Sequence, residues 1–354
     1  MKANPSSRPV AIWLLAGVFM IIVQVLLGGI TRLTGSGLSI TEWKPILGAL
    51  PPMNEHDWQV AFEKYKEIGQ FKFLNADFTL SDFKSIYFWE WLHRNWARFI
   101  AVVFAVPFVI FLLQRRFKKE MVRPMAILFI LGALQGLIGW IMVASGLNEE
   151  NLYVNHIRLA IHFISALGLL CYVFWFALQL LVPPEQVTIN PSLQKFTWQI
   201  VAVLILQLIY GAFMAGHKAA PISPTWPDMN GYAFPPNLFK ETPWLANFTE
   251  NKLMVQFIHR GLAYLLFILI VMWTWKAYKQ NLTSLFNKTK WMPLGIVLLQ
   301  VVLGILTVLN SPFMAPRHWG VFEWYAQLHQ LAAMFLLMSL IWMLYLVRRN
   351  KKAA

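Results

Sequence analysis

Polar residues interrupt the chain only at intervals, and between them run apolar stretches of about 20 residues, the length that crosses a hydrocarbon core. Eight such runs occupy about 10–31, 92–113, 124–145, 157–182, 196–216, 254–275, 291–310 and 324–347. They predict an all-α integral membrane protein with eight transmembrane helices. The first run is too long for the apolar part of a secretory signal, and no clear small-x-small cleavage site follows it. Two of the intervening segments are long, about 32–91 and 217–253. Within the first, Trp58, Phe62, Tyr65 and Ile68 recur at helical spacing, which predicts an amphipathic helix. By default it is a surface anchor; a lid over a site is the alternative.

The apolar runs also repeat. The odd-numbered ones share Gln-x-x-x-Gly at Gln24/Gly28, Gln135/Gly139, Gln207/Gly211 and Gln300/Gly304. The even-numbered ones share His-x-x-x-Ala at His93/Ala97, His162/Ala166, His259/Ala263 and His329/Ala333. His93 and His259 are 166 residues apart, His162 and His329 are 167 apart, and Arg follows both His93 and His259. The loop TEWKPILGALPP is echoed by PTWPDMNGYAFPP. This pattern predicts two tandem-duplicated four-helix bundles, 1–185 and 190–354, joined by PPEQVTINPS. The interior of such a bundle is a common cofactor site.

Composition agrees with a membrane protein: 58% of residues are hydrophobic and 13% charged. The net charge of +14 alone would suggest nucleic acid, but its distribution does not. With the amino terminus inside, the inner segments hold 16 Lys/Arg and two acids, while the outer ones balance to zero. Short basic inner loops such as QRRFKKEMVR set both termini in the cytoplasm. The charge therefore reports topology and anionic membrane lipid rather than nucleic acid. The single cysteine, Cys171, lies in an apolar run and rules out an internal disulfide or a cysteine metal cage.

Candidate chemistry centres on histidine. His56, His217 and His318 fall in loops or at their edges, and His156 begins the fourth span. His156 lies about 240° around the helix from His162, so the two share no face. His93, His162, His259 and His329 occupy the first turns of the even spans, towards the outer side. A lone membrane histidine is commonly an interhelical hydrogen bonder, but two per half suit axial ligation of one haem per bundle. A zinc site wants three or four convergent ligands, which fits poorly. The glutamines are either interhelical hydrogen bonders or neighbours of the cofactor. Glu90 precedes His93 by three residues on the same face, whereas Gln256 stands at the equivalent place before His259. A carboxylate among aromatic residues suits proton handling; an ion pair with Arg94 or Arg98 is the alternative. The asymmetry suggests one reacting half and one supporting half.

GGITRLTGSGLSITEWKP, EWLHR, NHIRLAIHFISAL, QFIHRGLAY and YAQLHQLAA together resemble the haem A synthase family, across essentially the whole chain. The long first loop is similar to the proteobacterial and mitochondrial branch. The resemblance implies an oxidoreductase acting on a CH group, which oxidises a ring methyl of haem O to the formyl of haem A through a hydroxymethyl intermediate. It implies that His93 and His162 hold the iron of substrate haem O and that His259 and His329 hold that of a retained haem b. It makes Glu90 the catalytic carboxylate. The cysteine pair of some Gram-positive members is absent, so no disulfide role carries over. Arg94, Arg98 and Arg260 either fork onto haem propionates or snorkel to headgroups. Implied partners are haem O synthase, an electron donor and cytochrome c oxidase as acceptor, in the cell inner membrane, with a homo-oligomer allowed. The rival readings are a di-haem b-type electron carrier and a non-enzymatic haem carrier or transporter.

Overall fold

The computed structural model describes residues 8–44, 47–117, 119–314 and 319–348. Among the described residues the α-helices are α1 (Arg8–Leu33), α2 (Glu55–Lys66), α3 (Gly69–Leu74), α4 (Leu80–Leu113), α5 (Lys119–Ala144), α6 (His156–Leu181), α7 (Pro191–Gly216), α8 (Lys252–Tyr278), α9 (Ser284–Thr289), α10 (Met292–Leu309) and α11 (Val321–Leu346). The expected eight segments are long and apolar enough to cross a membrane, with α9 and α10 sharing the seventh. Asparagines set the starts of three of them. Asn155, Asn190 and Asn251 accept backbone N–H bonds at the first turns of α6, α7 and α8, each cap contributing about 1 kcal/mol.

The spans close into two four-membered rings of the same order. α1 packs against α4 and α6, and α5 completes that ring between them; α7 packs against α8 and α11, with α10 completing the second. The rings meet through α6–α7, α6–α11 and α1–α11 contacts. Consequently α1 and α11 bury half or more of their most apolar windows, and α4 and α5 bury almost none. The main core comprises the first part of α1, the last turns of α6, α8 and α11 and the first part of α7, including Leu14, Leu170, Ile200, Trp273 and Leu340. Those residues lie at the end away from the two long loops, and the histidines occupy the loop end.

α4 differs from expectation. It starts at Leu80, so residues 80–91 are helix rather than loop, and its 34 residues reach about 51 Å, well beyond a hydrocarbon core of about 30 Å. Thr79 and Asp82 cap it reciprocally. The emergent turns need an apolar partner, and α2 supplies it. Phe62 stacks on Phe83 with ring centres 5.1 Å apart, and Trp58 meets Tyr87 edge-on at 5.0 Å. Tyr65 and Phe83 are fully buried, beside Leu38, Ile68 and Ile86. The amphipathic face of α2 is therefore turned onto α4, not onto a bilayer. A small extramembrane cap covers the loop end of the first ring.

Candidate functional site

The two repeated motifs meet in space, each on consecutive spans. The imidazole of every repeated histidine lies over the glycine of the preceding span. A Cβ at Gly28 would stand 3.2 Å from His93 Nε2, and one at Gly211 3.4 Å from His259 Cε1. At Gly139 and Gly304 it would stand 2.9 Å from Cε1 of His162 and His329 respectively. Glycine here makes room for a ring rather than for a helix backbone. The glutamine one turn earlier then reaches the same histidine. Gln24 Nε2 donates to the His93 carbonyl at 3.2 Å, and Gln135 Nε2 to the His162 carbonyl at 2.9 Å. Gln207 Nε2 lies 3.4 Å from His259 Nε2, and Gln300 Nε2 lies 3.3 Å from His329 Nε2. Of the two roles left open by the sequence, the structure displays the interhelical hydrogen bond, made to the histidine itself.

These residues fit a bis-imidazole clamp. Two imidazoles holding one metal ion between them would have their ring centres about 6 Å apart. The His259 and His329 ring centres are 6.3 Å apart. The 3.1 Å contact of His329 Nδ1 with the Gln300 carbonyl is made by a ring N–H donor, which makes Nε2, here facing the Gln300 amide at 3.3 Å, the nitrogen with a lone pair. His93 and His162 are likewise electrostatic neighbours. All four histidines are half-buried. Around them Gln24 Oε1, Gln207 Oε1, Gln300 Oε1 and His259 Nδ1 are buried without a hydrogen-bond partner. Each such atom costs about 1–3 kcal/mol unless something completes it.

Glu90 is 2% exposed and stands at the centre of a clamp. Its Oε2 accepts from Ser39 Oγ at 2.7 Å and from the Ile40 N–H at 2.9 Å; its Oε1 accepts from Arg94 at 2.6 Å. Arg94 also donates to the Ile40 and Glu42 carbonyls, and Arg98 donates to Asn95 and to the Lys44 carbonyl. In the second ring Gln256 donates to the Ser223 carbonyl at 2.9 Å, and Arg260 donates to those of Ser223 and Asp228. Each arginine thus ties down the loop beside its histidine. The Glu90/Gln256 difference has a local cause as well: one loop presents donors and the other presents carbonyls. Glu42, beside Arg94, has its carboxyl pulled below the usual range, first by Lys64 and then by Lys44.

A family model described as COX15-CtaA, cytochrome oxidase assembly protein, matches residues 11–341. The chain belongs to that family. It is 42% identical to the haem A synthase of Flavobacterium psychrophilum over 98% of this chain and 99% of the relative. It is 38% identical to that of Nitrosomonas eutropha over 96% and 94%, and 43% identical to that of Parvibaculum lavamentivorans over 87% and 88%. In this COX15-CtaA chain the fold also gathers two histidines that the sequence places at a loop edge and a helix start. His156 and His217 come together with Glu250 at the α6–α7 junction, and only the fold joins segments so far apart in sequence. His56 is exposed on α2, and His318 lies outside the described residues.

Proposed function

We propose that the chain is a haem A synthase, an oxidoreductase that converts a ring methyl of haem O into the formyl group of haem A. The single observation that carries this reading is the repeated histidine–glycine–glutamine set, with buried Glu90 before His93 in the first ring where Gln256 stands before His259 in the second. The two rings are tandem copies, 1–185 and 190–354, with His93 and His162 holding the substrate haem O. His259 and His329 hold haem b, which supplies one-electron redox chemistry when bound. The chain crosses the cell inner membrane with both termini in the cytoplasm. Haem O synthase delivers the substrate, an external donor exchanges electrons, and cytochrome c oxidase consumes the product.

Glu90 lies one helical turn before His93 on the same face, so its carboxylate would stand beside a haem held by that histidine. Held by three donors, it has one orientation, and positioning of that kind removes much of the entropic cost of reaction. Glu90 would orient the substrate edge and hold a proton at its carboxylate. Arg94 keeps the carboxylate in place, and with Arg98 it holds the carbonyls of Ile40, Glu42 and Lys44. Arg94, Arg98 and Arg260 would pair with the haem propionates. Glycines 28 and 139 let the two imidazoles lie deep enough to leave room for a macrocycle. The cap of α2 and α3 excludes water from the loop end, which strengthens each charged contact beneath it.

The test is chemical. The protein is purified from cells supplied with haem O, and its pigments are extracted and identified by mass. Haem O, its hydroxymethyl form or haem A accompanying haem b is the expected result. Haem b alone, filling both rings, would exclude the synthase and favour a di-haem electron carrier.

A further inference from the structure

The junction of the two rings holds a cluster that the proposed haem chemistry does not use. His156 opens α6, His217 caps the end of α7, and Glu250 precedes Asn251, the N-cap of α8. One ligand atom from each lies within 4.8 Å of the others. The two imidazole centres are 3.9 Å apart with planes inclined by 32°. His156 is 7% exposed and its Nε2 has no hydrogen-bond partner. Glu250 Oε1 approaches that nitrogen at 3.4 Å without hydrogen-bond geometry and also takes a 3.3 Å bond from Thr249 Oγ1. His217 Nε2 lies 2.6 Å from the Thr249 carbonyl and donates its proton there. That leaves Nδ1 with a free lone pair, the tautomer that an outer-shell carbonyl gives a ligating histidine. Gly216 packs against the His156 backbone, where an added Cβ would come within 2.6 Å of His156 Cβ.

We propose that His156, His217 and Glu250 bind a divalent late first-row cation, with zinc as the representative ion, at the seam between the rings. Two imidazole nitrogens and one carboxylate oxygen form a zinc donor set that keeps a fourth position open to water. Hard cations take oxygen shells, and soft ones prefer sulfur. Donors on a tetrahedral ion with bonds of about 2.0–2.1 Å stand about 3.3 Å apart. The His156–Glu250 separation of 3.4 Å already matches; the others, all within 4.8 Å, close by at most about 1.5 Å. Glu250, whose side chain is 49% exposed, has the freedom to make that movement. The site is separate from the proposed haem ligands, because His156 faces about 120° away from His162 around the helix. The ion joins α6 of the first ring to α7 and α8 of the second, so binding stabilises their junction by mass action.

The full-length, haem-loaded protein is treated with chelator, then titrated with Zn²⁺ alone. Bound zinc and iron are counted by elemental analysis while the thermal midpoint is followed. One zinc per chain and a raised midpoint are expected. His217→Gln and Glu250→Gln each weaken zinc binding at least about tenfold with iron unchanged, whereas His56→Gln has no effect. Absence of stoichiometric zinc overturns the site, as does retention of zinc by both ligand variants. A midpoint that responds to pH but not to zinc makes the cluster a His–Glu ion pair and also overturns it.

Discussion

Gly304→Ala and Gly211→Ala are the same substitution at equivalent places in the second ring, and the structure separates them. At Gly304 the new methyl would stand 2.9 Å from His329 Cε1 and 3.4 Å from Nδ1; at Gly211 the nearest atom is His259 Cε1 at 3.4 Å. Carbon atoms in good contact sit about 3.5–4.0 Å apart, so the His329 ring must retreat by about 0.6 Å and the His259 ring hardly at all. Overpacking of this size costs about 1–3 kcal/mol, which is about 5- to 150-fold in haem affinity. Alanine also adds about 1 kcal/mol of helix propensity over glycine, so thermal stability is the wrong readout. The assay is haem b per chain after purification, with the rate of haem transfer to an apo-globin. Gly304→Ala should lose haem b readily, and Gly211→Ala should stay within about threefold of the parent. Equal retention, or equal loss, would refute the argument that these glycines admit the ligand rings.

Three further outcomes follow from the geometry. Glu90→Gln removes the ionic partner of Arg94 but keeps an oxygen for Ser39 and Ile40. It should cost about 1–3 kcal/mol, keep haem b and abolish formyl production; undiminished production in a pigment assay would leave Glu90 as a loop clamp only. Phe83→Ala empties the fully buried centre of the cap at about 3–5 kcal/mol, so limited proteolysis should cut the α2–α3 segment faster while haem b stays bound. Burial, followed by Arg32 repulsion, lowers Lys218 from its ordinary 10.5 to about 8, while its ammonium lies 3.9 Å from the Tyr153 ring centre. Between those two values the unfolded chain binds more protons, so stability contributed at this site rises with pH. Lys218→Met should flatten the thermal midpoint across that window, and an unchanged slope would assign it elsewhere.

Much of this architecture was legible in the sequence because membrane crossing imposes a length and a polarity on each helix. The histidine and glutamine spacings marked the residues that meet. What spacing alone could not show is that each glycine serves the histidine of the next span, since that depends on the helices' relative rotation. Residues 80–91 looked like loop because Ser81, Asp82, Lys84 and Ser85 break the apolar run; the Thr79–Asp82 capping pair was the available signal. The inward face of α2 was ambiguous for a related reason. An amphipathic stripe demands an apolar partner, yet it does not say whether that partner is lipid or Phe83. The spacing of the arginines allows propionate or headgroup binding, and the loop carbonyls they also bind carry no sequence signature at all.

The division of labour between the rings is tested most directly by the haem content of a His93→Ala variant purified from cells supplied with haem O. Mass analysis should find haem b retained at the parental ratio, held by His259 and His329, with no hydroxymethyl species and no haem A. Continued haem A formation, or loss of haem b with the second ring intact, would contradict the account.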